Sequence, residues 1–256
     1  MGKRESIVYG RRACLALAEH RSSSIKRVFY EDGVPNRDLG PLLKACAKQR
    51  KPYRAVSLDE LFKISGSTHH EGVVVVTTPL PPIDFNAYLK TYFTSAVEEH
   101  RRQPIWVAFD RVENDHNHGA IARTLSWFGA EGLIWEGTRP QLSPSAQRIA
   151  QGGAEHISLL PVPSLGQALR QLKMNGVLIL GADQYAEESA FNRPEQLSQK
   201  GICWVLGSEQ FGLSKAIKNH CDQLVSIPGS GQIESLNVSV SAGLLIGQSH
   251  QWLGSH

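Results

Sequence analysis

The chain has 256 residues, 41% of them hydrophobic and 20% charged, with a formal net charge of +3. That is enough material for one large domain or two moderate ones with ordinary cores. No apolar stretch reaches the roughly 20 residues that span a bilayer, and four scattered cysteines without a C-x-x-C pair argue against both a zinc site and a disulfide framework.

The first segment, "MGKRESIVYGRR", is basic and has no apolar signal core, which predicts a cytoplasmic protein with reduced thiols. Charge is unevenly spread. Residues 1–80 hold 14 Lys/Arg and 8 Asp/Glu, a balance of +6, and the remainder holds 13 and 16, a balance of −3. A basic first third suits contact with a polyanion such as RNA, although a small soluble basic domain gives the same count.

Within residues 1–80, "RRACLALAEH" has helical apolar spacing and "IKRVFY" has strand character. "LGPLLKACAKQR" predicts a helix and "EGVVVVTT" a buried strand. The alternation predicts a compact α/β unit. Three prolines in "PLPPIDF" then interrupt the pattern. Asp84 is placed to cap a helix whose apolar stripe is Phe85, Tyr88, Leu89, Tyr92, Phe93 and Val97, and "EEHRRQP" ends it. The chain is therefore divided into residues 1–80, a linker and helix over 81–103, and a second unit over 104–256.

In the second unit "PIWVAFD", "GLIWEG", "GVLILGAD" and "GICWVLGSE" are apolar strands separated by helical stretches such as "GAIARTLSWFGA". That pattern predicts a parallel sheet covered on both faces. Ligands of such sheets bind at the carboxyl ends of the strands. Here those are the loops after Phe109, Leu180 and Leu206, and the loop after "QLVSIP".

The loop "GSEQFGLS" nearly matches a phosphate-binding loop, but Leu213 stands where the lysine belongs. Gly207 and Gly212 allow close backbone approach to a ligand, or simply a tight strand-to-helix turn. In "DRVENDHNHGAIARTLSWFG", His116 and His118 lack the further ligands of a metal site, as do His69 and His70, so all four are expected to be solvated loop histidines. Asn117 is a natural cap or turn former for a helix from about Gly119. Arg123 then falls one turn into that helix, where an anion, or Glu113, would offset its unfavourable position on the macrodipole. In "GQIESLNVSVSAGLLIG", Ser235 or Asn237 can cap a helix beginning near Val238. Ser239, Gly243 and Gly247 recur every four residues, giving a small-residue face for close packing against another helix of this chain or of a second subunit.

Three stretches together, "NDHNHGAIARTLSWFGAEGLI", "WVLGSEQFGLS" and "LVSIPGSGQIESLNVSVSAG", resemble the three motifs of the SpoU (TrmH) family of RNA ribose 2′-O-methyltransferases, in the SPOUT superfamily. "IVYGRRACLALAE" and "HHEGVVVV" are similar to the family's small N-terminal substrate-binding domain, which is like ribosomal protein L30e. The resemblance covers nearly the whole chain. It implies an α/β fold: a SPOUT methyltransferase domain, a parallel sheet with a deep trefoil knot, behind a small L30e-like α/β domain. It also implies S-adenosylmethionine (S-adenosyl-L-methionine) in the knotted loops, an RNA substrate, and a homodimer whose sites use residues of both subunits. By motif position Gly181, Gly207, Ile227, Pro228, Leu236 and Val238 would hold the cofactor. Asn117, Arg123, Glu209, Ser235 and Asn237 fall on the polar active-site positions.

The expected activity is methylation of a ribose 2′-hydroxyl in tRNA or rRNA. The rivals are a catalytically silent RNA-binding protein of the same fold and a nucleotide-dependent enzyme using "GSEQFGLS". The resemblance implies that Arg123 acts at the 2′-hydroxyl, either as general base or as a contact to the adjacent phosphate and a stabiliser of developing alkoxide; a neutral arginine is very costly, which favours the second role. Two departures stand out: Asp115 where the family often has Pro, and "AQGGAEH" in place of a commoner Ser-containing version at Gln151.

Overall fold

The computed structural model describes residues 5–33, 36–94, 104–197 and 200–253. In the first part, β1 (Ser6–Tyr9), β2 (Ile25–Glu31), β3 (Tyr53–Val56) and β4 (Val73–Thr77) form a sheet in the order β1-β4-β2-β3. β4 lies antiparallel to β1 and to β2, and β3 lies parallel to β2. The run of valines in β4 is buried on both faces because side chains alternate along a strand. Val73 and Val75 join Cys14 and Leu17 of helix α1 (Arg11–His20) and Leu42 of α2 (Asn36–Lys48). Val74 turns the other way, onto Leu61 of α3 (Leu58–Ser65). Sequence patterning missed β1, β3 and α3. The two strands are four residues each, and β3 buries only Val56, so neither offers a readable period.

Asp84 caps α4 (Phe85–Thr94), its carboxylate accepting the Ala87 N–H at 3.0 Å. Phe85 and Leu89 are buried, with Tyr88, Tyr92 and Phe93 packed beside them. Val97 and the helix end expected at "EEHRRQP" lie outside the described residues.

The second part holds six parallel strands: β5 (Ile105–Asp110), β6 (Gly132–Glu136), β7 (Ser158–Val162), β8 (Leu178–Ala182), β9 (Ile202–Gly207) and β10 (Gln223–Val225). Their order is β10-β8-β9-β5-β6-β7. Alternation along β5 sends Val107 and Phe109 to one face, and Trp106 and Ala108 to the other. The first face is covered by α5 (Asp115–Trp127), α6 (Pro144–Ala150) and α9 (Val238–Trp252). The second is covered by α4, α7 (Leu165–Met174) and α8 (Lys215–Lys218). From the edge strand β10 the chain returns to lay α9 on α5, β9 and β5. There the buried Trp204 indole donates to the Ser249 hydroxyl at 2.7 Å.

Helix α5 corrects three expectations. It starts at Asp115, not near Gly119, and its cap is Asn114, whose side chain accepts the His116 N–H at 2.9 Å. Asn117 is therefore a buried residue of the first turn. Arg123 lies two turns in, beyond the reach of the N-terminal dipole, while Asp115 occupies the first turn, where negative charge is favoured. The histidines are not all solvated: His118 bonds the Val112 carbonyl at 2.6 Å and stacks on Phe109, and the buried His70 accepts the Gly72 N–H through Nδ1.

Candidate active site

Three loops at the carboxyl ends of β8, β9 and β10 surround a cavity of about 300 Å³. The β9 loop is shaped by glycine. A Cβ on Gly207 would lie 2.5 Å from the Gly212 carbonyl oxygen, and closer still to the Gly212 carbonyl carbon and the Leu213 nitrogen. The loop folds back over this position. Gly212 N–H donates to the Ser208 carbonyl at 2.9 Å, and Phe211 N–H to the Ser208 hydroxyl at 3.1 Å. Gly212 has φ +61°, a left-handed conformation that favours glycine. Beyond the turn, Ser214 N–H donates to Asp110 at the end of β5, which also takes the Arg111 guanidinium at 3.1 Å. Asp110 thus ties the loop to the sheet. Sequence reasoning passed it over, although an acidic residue ending a buried apolar strand is a readable signal.

Apolar walls come from Leu206, Ile227, Leu236 and Val238, with Ser208, Glu209, Gln210, Ser235 and Ser241 among the polar ones. Asp183, just past β8, forms an ion pair with Lys218 across the rim. Burial pushes the Asp183 carboxyl upward, but hydrogen bonds from Lys218 and the Tyr185 amide outweigh it and hold it below the ordinary value. Neither Asp183 nor Lys218 was a sequence candidate.

Of the expected cofactor residues, Gly207, Ile227, Leu236 and Val238 line the cavity. Gly181 and Pro228 do not. Gly181 packs beneath the site, where a Cβ would meet Leu224, Cys221 and Leu213 side chains at 2.7 to 2.9 Å. Pro228 is exposed next to Ile227. The Cys221 thiol is pushed up to about 12, first by burial and then by Asp222, so it stays protonated and is no nucleophile.

Three of the five polar candidates, Asn117, Glu209 and Asn237, form a chain of contacts. Glu209 and Ser235 line the cavity. The Asn117 amide donates to the Glu209 carboxylate, and the Asn237 amide donates to Asn117 Oδ1 at 3.3 Å. Asn237 Oδ1 accepts the Ser239 N–H at 2.9 Å, so this one residue caps α9 and joins it to α5. Arg123 stands apart on the exposed side of α5, outside the cavity lining, and no described residue forms an ion pair or hydrogen bond with its guanidinium. The small-residue face of α9 also divides. A Cβ on Gly247 would meet the Phe128 ring of the same chain at 3.4 Å, Ser239 belongs to the cap, and only Gly243 opens onto free space. Among the described residues no three His, Cys, Asp or Glu side chains converge as metal ligands.

The profile of the SpoU rRNA Methylase family matches residues 104–247. That of RNA 2′-O ribose methyltransferase substrate binding matches residues 7–83. The chain is 29% identical over 247 residues to the 23S rRNA (guanosine-2′-O-)-methyltransferase RlmB of Neisseria meningitidis serogroup B, covering 95% of this chain and 94% of that one. It is 30% identical over 244 residues to the uncharacterised tRNA/rRNA methyltransferase YfiF of Escherichia coli O157:H7, covering 95% of this chain and 67% of that one. In fold it is similar to the SpoU methyltransferase AviRb of Streptomyces viridochromogenes, solved with S-adenosylmethionine. The TM-score is 0.75 at 23% identity, over 97% of this chain and 90% of that one. With the second and third motif loops around one cavity, the first tied to them through Asn117, and both family profiles matched, the chain belongs to the SpoU family of RNA ribose 2′-O-methyltransferases.

Proposed function

We propose that the protein transfers a methyl group from S-adenosylmethionine to the ribose 2′-hydroxyl of a guanosine in 23S rRNA. The observation that carries this reading is the Asn117–Glu209–Asn237 network on the rim of the glycine-walled cavity. The rRNA target is supported by relatives of that name matched over more than nine tenths of their length. Such a substrate places the work in the cytoplasm.

The cavity suits the cofactor. Leu206, Ile227, Leu236 and Val238 would offer apolar surface to an adenine ring, the loop backbone closes over Gly207, and the Glu209 carboxylate would attract a cationic molecule. The bound cofactor supplies an already activated methyl group, so the protein's task is to align the hydroxyl and help it lose its proton. Asn117 holds Glu209 in place. Arg123, permanently charged, contacts the neighbouring phosphate and stabilises the developing alkoxide.

Because Arg123 points away from its own cavity, we assign it to the cavity of a second subunit in a homodimer. Trp127, one turn along from Arg123, is 84% exposed, and Val240 and Leu244 on α9 are exposed too, a patch suited to an interface. The return of the chain from β10 to α9 fits the deep trefoil knot implied by the family motifs. The division into residues 1–80, a linker over 81–103 and residues 104–256 fits the two separate sheets.

Mixing tests the assembly and the chemistry together. Arg123→Ala and Gly207→Ala proteins, each nearly inactive alone on unmodified 23S rRNA transcript when S-adenosylmethionine is kept well below what Gly207→Ala needs for binding, should regain activity when unfolded and refolded together, since a mixed dimer holds one intact site. If the mixture stays dead while refolded wild type is active, Arg123 does not act across subunits. If wild type transfers no methyl to the transcript, the 23S assignment is wrong.

A further inference from the structure

Whatever sets the position of α5 sets the position of Arg123. One neighbour of α5 is the turn after α6, residues 151–156. Gln151 (φ +49°) and Gly152 (φ +91°) are both left-handed and bend the chain sharply. One turn of 3-10 helix follows, over Gly153–Glu155. A Cβ on Gly153 would lie 3.0 Å from the Arg123 Cα and 3.1 Å from the Ser126 Cβ. The turn is thus pressed against the backbone of α5 at Arg123 itself.

Its other side receives α1 from the basic first unit. A Cβ on Gly152 would lie 2.7 Å from the Ala16 Cβ. The Glu155 carboxylate accepts two bonds from Arg21, from Nε at 2.6 Å and Nη2 at 2.9 Å, with side chains only 9% and 15% exposed. The His156 ring meets His20 edge-on, with centroids 4.3 Å apart. One turn earlier, Arg148 packs against Gly10 (φ +91°) and pairs with Glu71 at 3.8 Å. This turn is the "AQGGAEH" stretch in which the chain departs from the family's commoner sequence.

We propose that the turn over residues 151–156 transmits the seating of the RNA-binding first unit to Arg123, with Arg21 and Glu155 as positioning residues. The inference rests on Arg123 acting in methyl transfer. A forked pair drawn out of water fixes distance and angle together. Two adjacent glycines leave no side chain to absorb a displacement, and close-packed interiors pass strain on. Arg21 and Glu155 touch no reacting atom.

Arg21→Met keeps the stem and removes the fork. By hydrogen exchange without RNA, it should speed exchange of α5 amides from Ile121 to Trp127 as well as those at the end of α1. A loss of protection confined to α1 would overturn the proposal. In single-turnover methylation of unmodified 23S rRNA transcript, Arg21→Met should be about tenfold slower at unchanged S-adenosylmethionine affinity. That loss should vanish in an Arg123→Ala background, and additive losses would refute the coupling. Gly153→Ala, which intrudes on α5 from the turn without touching the first unit, should slow transfer at unchanged RNA affinity. A Gly153→Ala protein with the wild-type rate would count against the proposal even if Arg21→Met failed to fold. Absence of transfer by wild type would refute the substrate assignment instead, and the exchange experiment would still decide the coupling.

Discussion

Replacing Gly207 with alanine should separate the cofactor cavity from the rest of the fold. The added methyl carbon would sit 2.5 Å or less from three backbone atoms of Gly212 and Leu213, where ordinary contact begins at 3.4 Å. No side chain can rotate away, so the loop itself must move by about 1 Å. Overpacking of this kind costs about 1–3 kcal/mol. The displaced loop also strains the Gly212–Ser208 and Ser214–Asp110 hydrogen bonds, each worth on the order of 1 kcal/mol. Since the same loop forms one wall of the cavity, much of the damage falls on binding. S-adenosylmethionine affinity should drop roughly tenfold to a hundredfold, at about 1.4 kcal/mol per decade. Calorimetric titration gives the affinity, and thermal unfolding gives the stability. Gly212→Ala is the control: its methyl meets open space, and only the strain of φ +61° remains, about 1 kcal/mol. Wild-type affinity in Gly207→Ala, or a greater loss in Gly212→Ala, would refute the steric argument.

Arg123→Ala should slow methyl transfer by two to three orders of magnitude, about 3–4 kcal/mol, with little change in cofactor affinity. Arg123→Lys should recover little, because the fork is lost; single-turnover kinetics and calorimetry check both. Asp183 is more acidic folded than unfolded, so its pairing stabilises the protein above the ordinary carboxyl value of 3.8 and is lost as pH falls below it. Melting temperatures of wild type and Asp183→Asn should therefore differ at pH 7 and begin to converge only as pH falls below the ordinary value of 3.8. Gly243→Leu should shift the protein towards monomer in sedimentation, and an unshifted variant would remove that helix face from the interface. RNA affinity should weaken steeply with salt if residues 1–80 supply most of the phosphate contacts. A flat salt dependence would deny them that role.

Local signals found the elements that announce themselves. The apolar strands of the second sheet, the capping residue Asp84 and the Asn237 cap were all readable, because period and capping chemistry are written within a few residues. What failed was decided at long range. Gly119 looked like the start of a helix. Its actual reason is α6, whose Ile149 Cβ would lie 2.7 Å from an added methyl group. Gly181, singled out by motif position, also has three side chains filling the space of a Cβ, which nothing in its own neighbourhood signals. The motif positions of Asn117, Glu209 and Asn237 led to groups that do meet, although 92 and 120 residues separate Asn117 from its two partners. The Arg21–Glu155 pair bridges 134 residues, and no pattern within either neighbourhood signals it.

The cavity draws its walls from residues 182–185, 206–213 and 225–241, whereas the first sheet needs nothing beyond Thr77. Synthesis runs from the amino end, so the first unit can fold while the cavity is still missing most of its lining. A chain cut short before α9 has no Asn237–Asn117 link and no Trp204–Ser249 contact to close the site. It keeps a folded, basic first unit all the same. Late truncation therefore creates a competitor, a chain that occupies whatever the first unit binds and leaves it unmodified.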